Sequence, residues 1–312
     1  MNILITGGSG VIGSRFISRM LHRHKLIAVG KNISNFPEYV RLHKNFKFYE
    51  FDLASENRFS IKDRIDCILH LAGIVSGSAN RTEDYMRANV LGTNKLIIFA
   101  KEKKIPTFIM ASTVSVYGHQ PGKKLVETDK LLGNTDYAIS KIDAESLVLN
   151  SGLENYTIFR IASVFGKDTK GFVSKLERLL RRKLLPFPED SHSKKSFIHV
   201  LDVVEFLDRA VENPKKGIFN LAHPEPFTFS ELAVILKAKN RSGFVVRILI
   251  GKVLLSVIHK INQTLYLLRI TKNPKRIDLR PLLEFVEVNP KKAIQQFAFL
   301  PKIHLNSDWE HL

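Results

Sequence analysis

Residues 3–13 read Ile-Leu-Ile-Thr-Gly-Gly-Ser-Gly-Val-Ile-Gly, an apolar, β-branched run that passes directly into Gly7, Gly8, Gly10 and Gly13. The run is long enough for one buried strand, and the glycines leave a turn almost bare of side chains. Ile12, Phe16, Ile17, Met20 and Leu21 then recur at helical spacing. A strand, a bare turn and a helix in that order bring the helix's first N–H groups and its positive dipole end to the end of the strand. An anion can approach the backbone closely there. This arrangement suits the diphosphate of a dinucleotide, with Gly7, Gly10, Val11, Ile12 and Gly13 as candidate contacts. A glycine motif alone is a weak sign; the strand before it and the helix behind it make it specific.

The alternation continues. Apolar strand candidates recur at 2–6, 25–30, 46–51, 66–71, 107–112 and 156–161, with helical patterns at 13–23, 82–104 and 137–150. This predicts an α/β fold, a doubly wound parallel sheet with helices on both faces. Ligands of such sheets bind beyond the carboxyl ends of the strands. The informative residues are therefore Asp52-Leu53 after the third strand, Leu71-Ala72-Gly73 after the fourth, and Ser112-Thr113 at the end of the fifth. From residue 166 the regularity fades into a basic helical segment and the loop Leu185-Pro186-Phe187-Pro188. Residues 197–204 and 217–222 read as returns to the sheet, and the remainder reads as mainly helical. The expected organisation is a Rossmann-type dinucleotide-binding domain of residues 1–166 plus about 197–222, and a smaller substrate-binding domain of about 167–196 plus 223–312.

Composition narrows the functional classes. The single cysteine, Cys67, excludes an internal disulfide framework and fits a reducing compartment. The first strand and turn consume the N-terminus, so no signal peptide is expected, and no uncharged stretch is long enough for a transmembrane helix. These features predict a cytoplasmic protein. Lys and Arg total 48 against 30 acidic residues, a net charge of +18, which attracts anionic partners. Zinc-finger spacing and aromatic–basic RNA-binding patterns are absent, so nucleic acid is not an expected partner, and no residue is assigned as a metal ligand. Phosphate-bearing small molecules fit the charge better.

Tyr137 and Lys141 lie four residues apart, on one face of a helix. An ammonium beside a phenol favours the phenolate, which makes Tyr137 a candidate acid/base, with Thr113 placed to hold a substrate oxygen. A tyrosine four residues before a lysine is common in a Lys-rich chain; its position after the Gly-rich turn and the Ser/Thr strand end gives it weight.

The order of these motifs resembles the extended short-chain dehydrogenase/reductase family of NAD(P)-dependent nucleotide-sugar epimerases, dehydratases and reductases. The matching pieces are Thr6 to Gly13, Asp52-Leu53, His70 to Gly73, Asn89-Val90-Leu91-Gly92-Thr93, Ser112 to Gly118, Tyr137/Lys141, Arg160 to Gly166, and Phe197 to Val200 with Asp202. The resemblance implies a catalytic group of Thr113, Tyr137 and Lys141. It also implies cofactor contacts at Asp52, Leu53, Leu71, Ala72, Gly73, Asn89, Ser112, Tyr137 and Lys141, the last holding the ribose. Ser163 and Lys195 stand where the family places an Asn near the sugar nucleotide and an Arg directed at its diphosphate. A homodimer through helices 89–104 and 137–150 is a further implication.

Departures from the family pattern separate the outcomes. The second strand ends Val29-Gly30-Lys31-Asn32, without the acid that holds the adenosine ribose of NAD, so Lys31 favours NADP over NAD. Val114-Ser115 follow Thr113 where 4,6-dehydratases carry an Asp-Glu pair, which argues against dehydration. An epimerase or a keto-sugar reductase acting on a diphosphate-linked sugar remains, with a catalytically silent dinucleotide-binding interaction protein as the alternative from another class. Segment 244–270 is apolar apart from one polar stripe, and basic residues follow to 276. A buried or dimer-contact helix is the first reading. Peripheral contact with the inner face of a membrane is the second, and it adds a lipid-diphosphate-linked sugar to the candidate substrates of the same chemistry.

Overall fold

The computed structural model describes residues 1–77, 79, 81–169, 171–188, 193–239, 246–250 and 285–307, with isolated positions between 257 and 270. Its frame is a seven-stranded parallel sheet. Five strands come in the first part of the chain: β1 (Asn2–Thr6), β2 (Lys25–Gly30), β3 (Phe46–Glu50), β4 (Cys67–His70) and β5 (Thr107–Thr113). After the two-residue β6 (Lys124–Leu125), β7 (Tyr156–Ile161) rejoins the sheet. The spatial order is β12-β7-β5-β4-β1-β2-β3, in which β12 is Gly217–Leu221. The order reverses between β1 and β4, and a crevice opens there at the carboxyl ends of the strands.

The helices are α1 (Val11–Met20), the single turn α2 (Glu38–Arg41), α3 (Thr82–Tyr85), α4 (Gly92–Glu102), α5 (Asp136–Leu149), α6 (Phe172–Arg181), α7 (Val200–Glu212) and α8 (Phe229–Lys239), with a last short helix at Lys291–Phe297. Period-two alternation distributes the sheet between two cores. Ile3, Ile5 and Ile109 pack with Phe16 and Ile17 of α1 and Phe206 and Leu207 of α7. Leu4, Phe108 and Met110 face Leu96 and Phe99 of α4 and Ala144 and Val148 of α5. Ion pairs to buried Asp208 of α7 from Arg19 of α1 and from Arg23 just after it tie the end of α1 to α7.

A third cluster, including Val173, Leu176, Leu180, Phe197, Phe227, Phe229, Leu232 and Leu236, forms the core of the smaller part of the molecule around α6 and α8. Around it lie two-stranded pairings: β8 (Ser163–Phe165) with β11 (Phe197–His199), β9 (Leu184–Pro188) with β14 (Val246–Ile250), and β10 (Lys194–Lys195) with β13 (Phe227–Thr228). β15 (Glu287–Val288) pairs with β6.

Two expectations are corrected. Residues 200–204 are helix, not strand. His199 accepts the Leu201 N–H at the start of α7, and buried Val200, Val203, Val204, Leu207 and Val211 follow a 3.6-residue period that overrides the local alternation. The pattern over 82–104 is interrupted as well: between α3 and α4 the chain takes a π-helical stretch, Met86–Leu91, a feature often found at functional sites. Most of segment 244–276 lies outside the described residues. Among the described residues, no helix is long and apolar enough to cross a membrane.

Candidate active site

At the crevice a cavity of about 1070 Å³ is lined by Gly7, Gly10, Val11, Ile12, Gly13, Leu71, Ala72, Gly73, Thr113, Tyr137, Ser163 and Lys195, among others. Twelve residues proposed from the sequence thus meet around one space. The turn is tight for a physical reason. Gly7 has φ +70°, and a Cβ there would lie 2.6 Å from the Ala72 backbone nitrogen. At Gly13 a Cβ would lie 2.3 Å from the Gly7 carbonyl oxygen. The α1 N-cap, Gly10, has no side-chain cap, which leaves the helix N-terminus bordering the cavity available to an anion. These residues fit a dinucleotide diphosphate.

The other proposed residues are not among those lining this cavity. Asn89, in the π-helical stretch, accepts from Ile74 N (2.8 Å) and donates to Ile74 O (3.1 Å) and Ser140 Oγ (2.9 Å), so it holds the loop after β4. Ser112 donates to Glu145, which forms a buried ion pair with Arg160 at 2.7 Å, while Arg160 also donates to Tyr117 Oη at 2.9 Å. Ser112 therefore braces β5 against α5 and does not line the cavity. Leu53 is buried beside Gly92. Lys31, expected to offer a cation to a 2′-phosphate, lies 3.9 Å from Asp52, whose carboxylate also accepts from Ala54 N. Both signs of charge therefore stand at this strand end.

Tyr137 projects from the first turn of α5, where Thr135 accepts the Ala138 N–H as N-cap. Burial pushes its phenol up to about 12, while hydrogen bonding with Thr113 pulls the other way. Lys141, expected to favour the phenolate, is anchored on the strand beside the site. Lys141 Nζ donates to the Ala111 carbonyl at 2.7 Å, and burial pushes its own pKa down to about 8. Tyr85 packs beside Tyr137 with ring centroids 6.2 Å apart, and its hydroxyl accepts the Gly77 N–H at 3.0 Å.

A relay not foreseen from the sequence joins the two halves of the site. Ala72 N donates to Thr6 Oγ1, which lies 2.7 Å from His70 Nδ1, and His70 Nε2 lies 2.9 Å from Thr93 Oγ1. Thr93 donates to the Asn89 carbonyl at 2.6 Å, and Ser140, bound by the Asn89 side chain, donates to the Tyr137 carbonyl at 2.8 Å. Burial, then the Lys141 charge, pushes His70 down to about 3 and keeps the ring neutral. A neutral ring with one donor and one acceptor nitrogen suits a relay between two hydroxyls.

The far wall of the cavity is basic. Lys175, Arg178 and Arg182 come from α6 and the residue after it, and Lys195 from β10 packs over the rings of Phe172 and Phe285 at 4.6 and 5.5 Å. Only Lys195 was singled out from the sequence, although the basic run over α6 was visible. No Asp or Glu is among the described lining residues.

Fold and site together define a Rossmann-type protein with a dinucleotide cradle facing a Thr/Tyr pair. The family model for the NAD dependent epimerase/dehydratase family matches residues 3–222, and the chain belongs to that family. It is 27% identical over 234 residues to an uncharacterized UDP-glucose epimerase, YtcB, of Bacillus subtilis, covering 69% of this chain and 73% of that protein. It is 29% identical to UDP-glucuronic acid decarboxylase 4 of Arabidopsis thaliana, covering 76% of this chain and 57% of that longer protein. The fold superposes on a UDP-glucuronic acid 4-epimerase from Bacillus cereus in complex with NAD, with a TM-score of 0.77, 19% identity, and coverage of 100% of this chain and 97% of that one.

Proposed function

We propose that the chain transfers hydride between a nicotinamide dinucleotide and the sugar of a nucleoside-diphosphate sugar, acting as an epimerase, with keto-sugar reduction as the other outcome on the same site. One observation carries this reading: Thr113 and Tyr137 face the same cavity as four cationic side chains, and no carboxylate is among its described lining residues. The cations match a diphosphate. Val114 and Ser115, which follow Thr113, argue against elimination of water.

A bound nicotinamide dinucleotide supplies reversible hydride exchange and, when oxidised, a positive charge that favours the Tyr137 phenolate. The uncapped start of α1 and the Gly7–Gly13 turn bind its diphosphate, and Leu71 to Gly73 bring bare backbone beside it. Thr113 holds the sugar oxygen while Tyr137 gives or takes its proton. Lys141, fixed on Ala111 O, keeps a cation beneath α5 at neutral pH. Lys195, Arg178 and Arg182 hold the substrate diphosphate, and Ser163 meets the nucleotide side of the sugar. The division into residues 1–166 plus 197–222 and the remainder, and a homodimer using exposed Ile98, Ile139 and Leu149, belong to the same reading. So does the choice between NAD and NADP, left open by the Lys31–Asp52 pair.

The test is the identity and exchange rate of the dinucleotide on freshly purified protein, by mass spectrometry before and after washing. Retained NAD supports the epimerase, and exchangeable NADP(H) supports the reductase. Failure to bind either dinucleotide overturns the reading.

A second reading keeps the chemistry and changes the carrier. Val257, Ile261, Leu268 and Ile270 are exposed apolar side chains in the segment flagged for membrane contact, which suits a lipid-linked sugar diphosphate. Flotation with anionic vesicles at physiological salt is its expected result, and absence of flotation removes it.

A further inference from the structure

Away from the cavity, the loop after β12 meets the C-terminal segment. The His223 amide donates to the Phe197 carbonyl at 2.7 Å, and its Nδ1 accepts the Glu225 N–H at 3.2 Å. Asp202 of α7 accepts from the backbone N–H groups of Lys302 and Ile303, at 3.2 and 3.1 Å, and so fixes the approach of His304. The His223 and His304 rings then lie edge to face with centroids 4.9 Å apart. Donor atoms of His223, Glu225 and His304 all fall within 4.8 Å of one another.

The hydrogen bonding around His304 leaves a conflict that a cation resolves. Its Nδ1 is paired with Asn306 Oδ1, an atom that only accepts, so the proton sits on Nδ1. In a neutral ring Nε2 is then a lone pair, yet Glu225 Oε2 lies 2.8 Å from it. Two acceptors at that distance repel unless a proton or a metal ion stands between them. A second imidazole at the same point favours the metal: His223 gives up its long 3.2 Å contact with the Glu225 N–H when it ligates, and two imidazoles with one carboxylate suit a borderline divalent ion such as Zn(II) or Co(II) better than an alkaline-earth ion. Asn306 fixes the tautomer of His304 as an outer partner does at established metal sites.

We infer that His223, Glu225 and His304 form a binding site for a divalent transition-metal ion, separate from the active site, that staples the C-terminal segment to the loop following β12. None of the three lines the catalytic cavity, and the Glu225 side chain is 72% exposed, so an ion enters from solvent. Three protein donors leave one position of a tetrahedral ion to water. The donors close to metal–ligand distances of about 2.0–2.2 Å by side-chain rotation.

Full-length protein stripped with a chelator and dialysed is titrated with Zn(II) in competition with an indicator, and with Co(II) by visible absorption. One equivalent per chain is expected, with a four-coordinate Co(II) spectrum and a raised melting temperature. His223→Ala and His304→Ala each weaken binding by at least about tenfold, and Asn306→Ala weakens it less. His22→Ala, which alters the separate His22–His43 ring pair, leaves it unchanged. Glu225→Gln, on an exposed side chain, gives a weakened site even where a histidine variant folds poorly. Absence of saturable binding would show that a proton alone bridges His304 and Glu225, and would overturn the site. Binding unchanged in the His223, His304 and Glu225 variants would also overturn it.

Discussion

The two walls of the cavity are made of different material. The wall between β1 and β4 is largely backbone: a strand end, glycines, a helix N-terminus and the bare Leu71–Gly73 stretch, fixed from behind by the Thr6–His70–Thr93 relay. The opposite wall is side chain: Lys175, Arg178 and Arg182 near α6, and Lys195 on a two-residue strand. A backbone wall admits few substitutions and serves a ligand part common to many reactions. A wall of long basic side chains recognises charge, changes with any substitution, and sets which substrate enters. On the proposed function, the first wall serves the cofactor common to the family and the second wall the choice of substrate.

Substitutions should separate the walls. The largest effect is expected from Gly7→Ala, because its φ of +70° and a Cβ 2.6 Å from Ala72 N force the backbone to shift. Left-handed strain and overpacking together cost about 2–5 kcal/mol. Calorimetric titration should show dinucleotide binding lost, with a lowered melting temperature. Next comes the relay. His70 is held neutral with a pKa of about 3, whereas the unfolded chain takes the proton near 6.5. The unfolded state binds more protons between those values, so stability falls as pH drops from about 6.5 towards 3. His70→Asn should flatten the melting-temperature profile over that window.

On the side-chain wall, Arg178→Ala or Lys195→Ala should raise KM for the nucleotide sugar about tenfold, about 1.4 kcal/mol, and leave dinucleotide affinity unchanged. Equal losses for both ligands would erase the distinction between the walls. The smallest effect belongs to Lys31→Ala. An exposed pair with Asp52 is worth about 0.2–1 kcal/mol, so the NADP-to-NAD affinity ratio should move by less than about fivefold.

The same contrast explains what could be read from residues alone. β1, β2 and β7 begin and end where their apolar runs do, because each lies inside the sheet and its neighbours do not alter its local pattern. Gly7 to Gly13 and Tyr137 were legible because each needs a residue type at a fixed local position. The start of α7 was not, because Val200 to Val204 satisfy both periods until the buried positions further along decide. The π-helical stretch adds a residue to a turn without a compositional mark. The relay and the His223–Glu225–His304 cluster join residues far apart in the chain, and such pairings exist only after folding. Arg178 and Arg182 looked like any solvated basic segment until folding gathered them with Lys195 around one cavity.

The central claim is that Tyr137 is the acid/base for sugar hydride chemistry at this cavity. Wild type and Tyr137→Phe should be incubated with a panel of UDP-hexoses and UDP-uronic acids, with both dinucleotides, and followed by NMR. The account predicts turnover of at least one sugar nucleotide by the wild type. It predicts a rate lower by about 10²–10⁴ in Tyr137→Phe, with dinucleotide affinity unchanged. Full turnover by Tyr137→Phe, or no turnover and no sugar-nucleotide binding by the wild type, would contradict it.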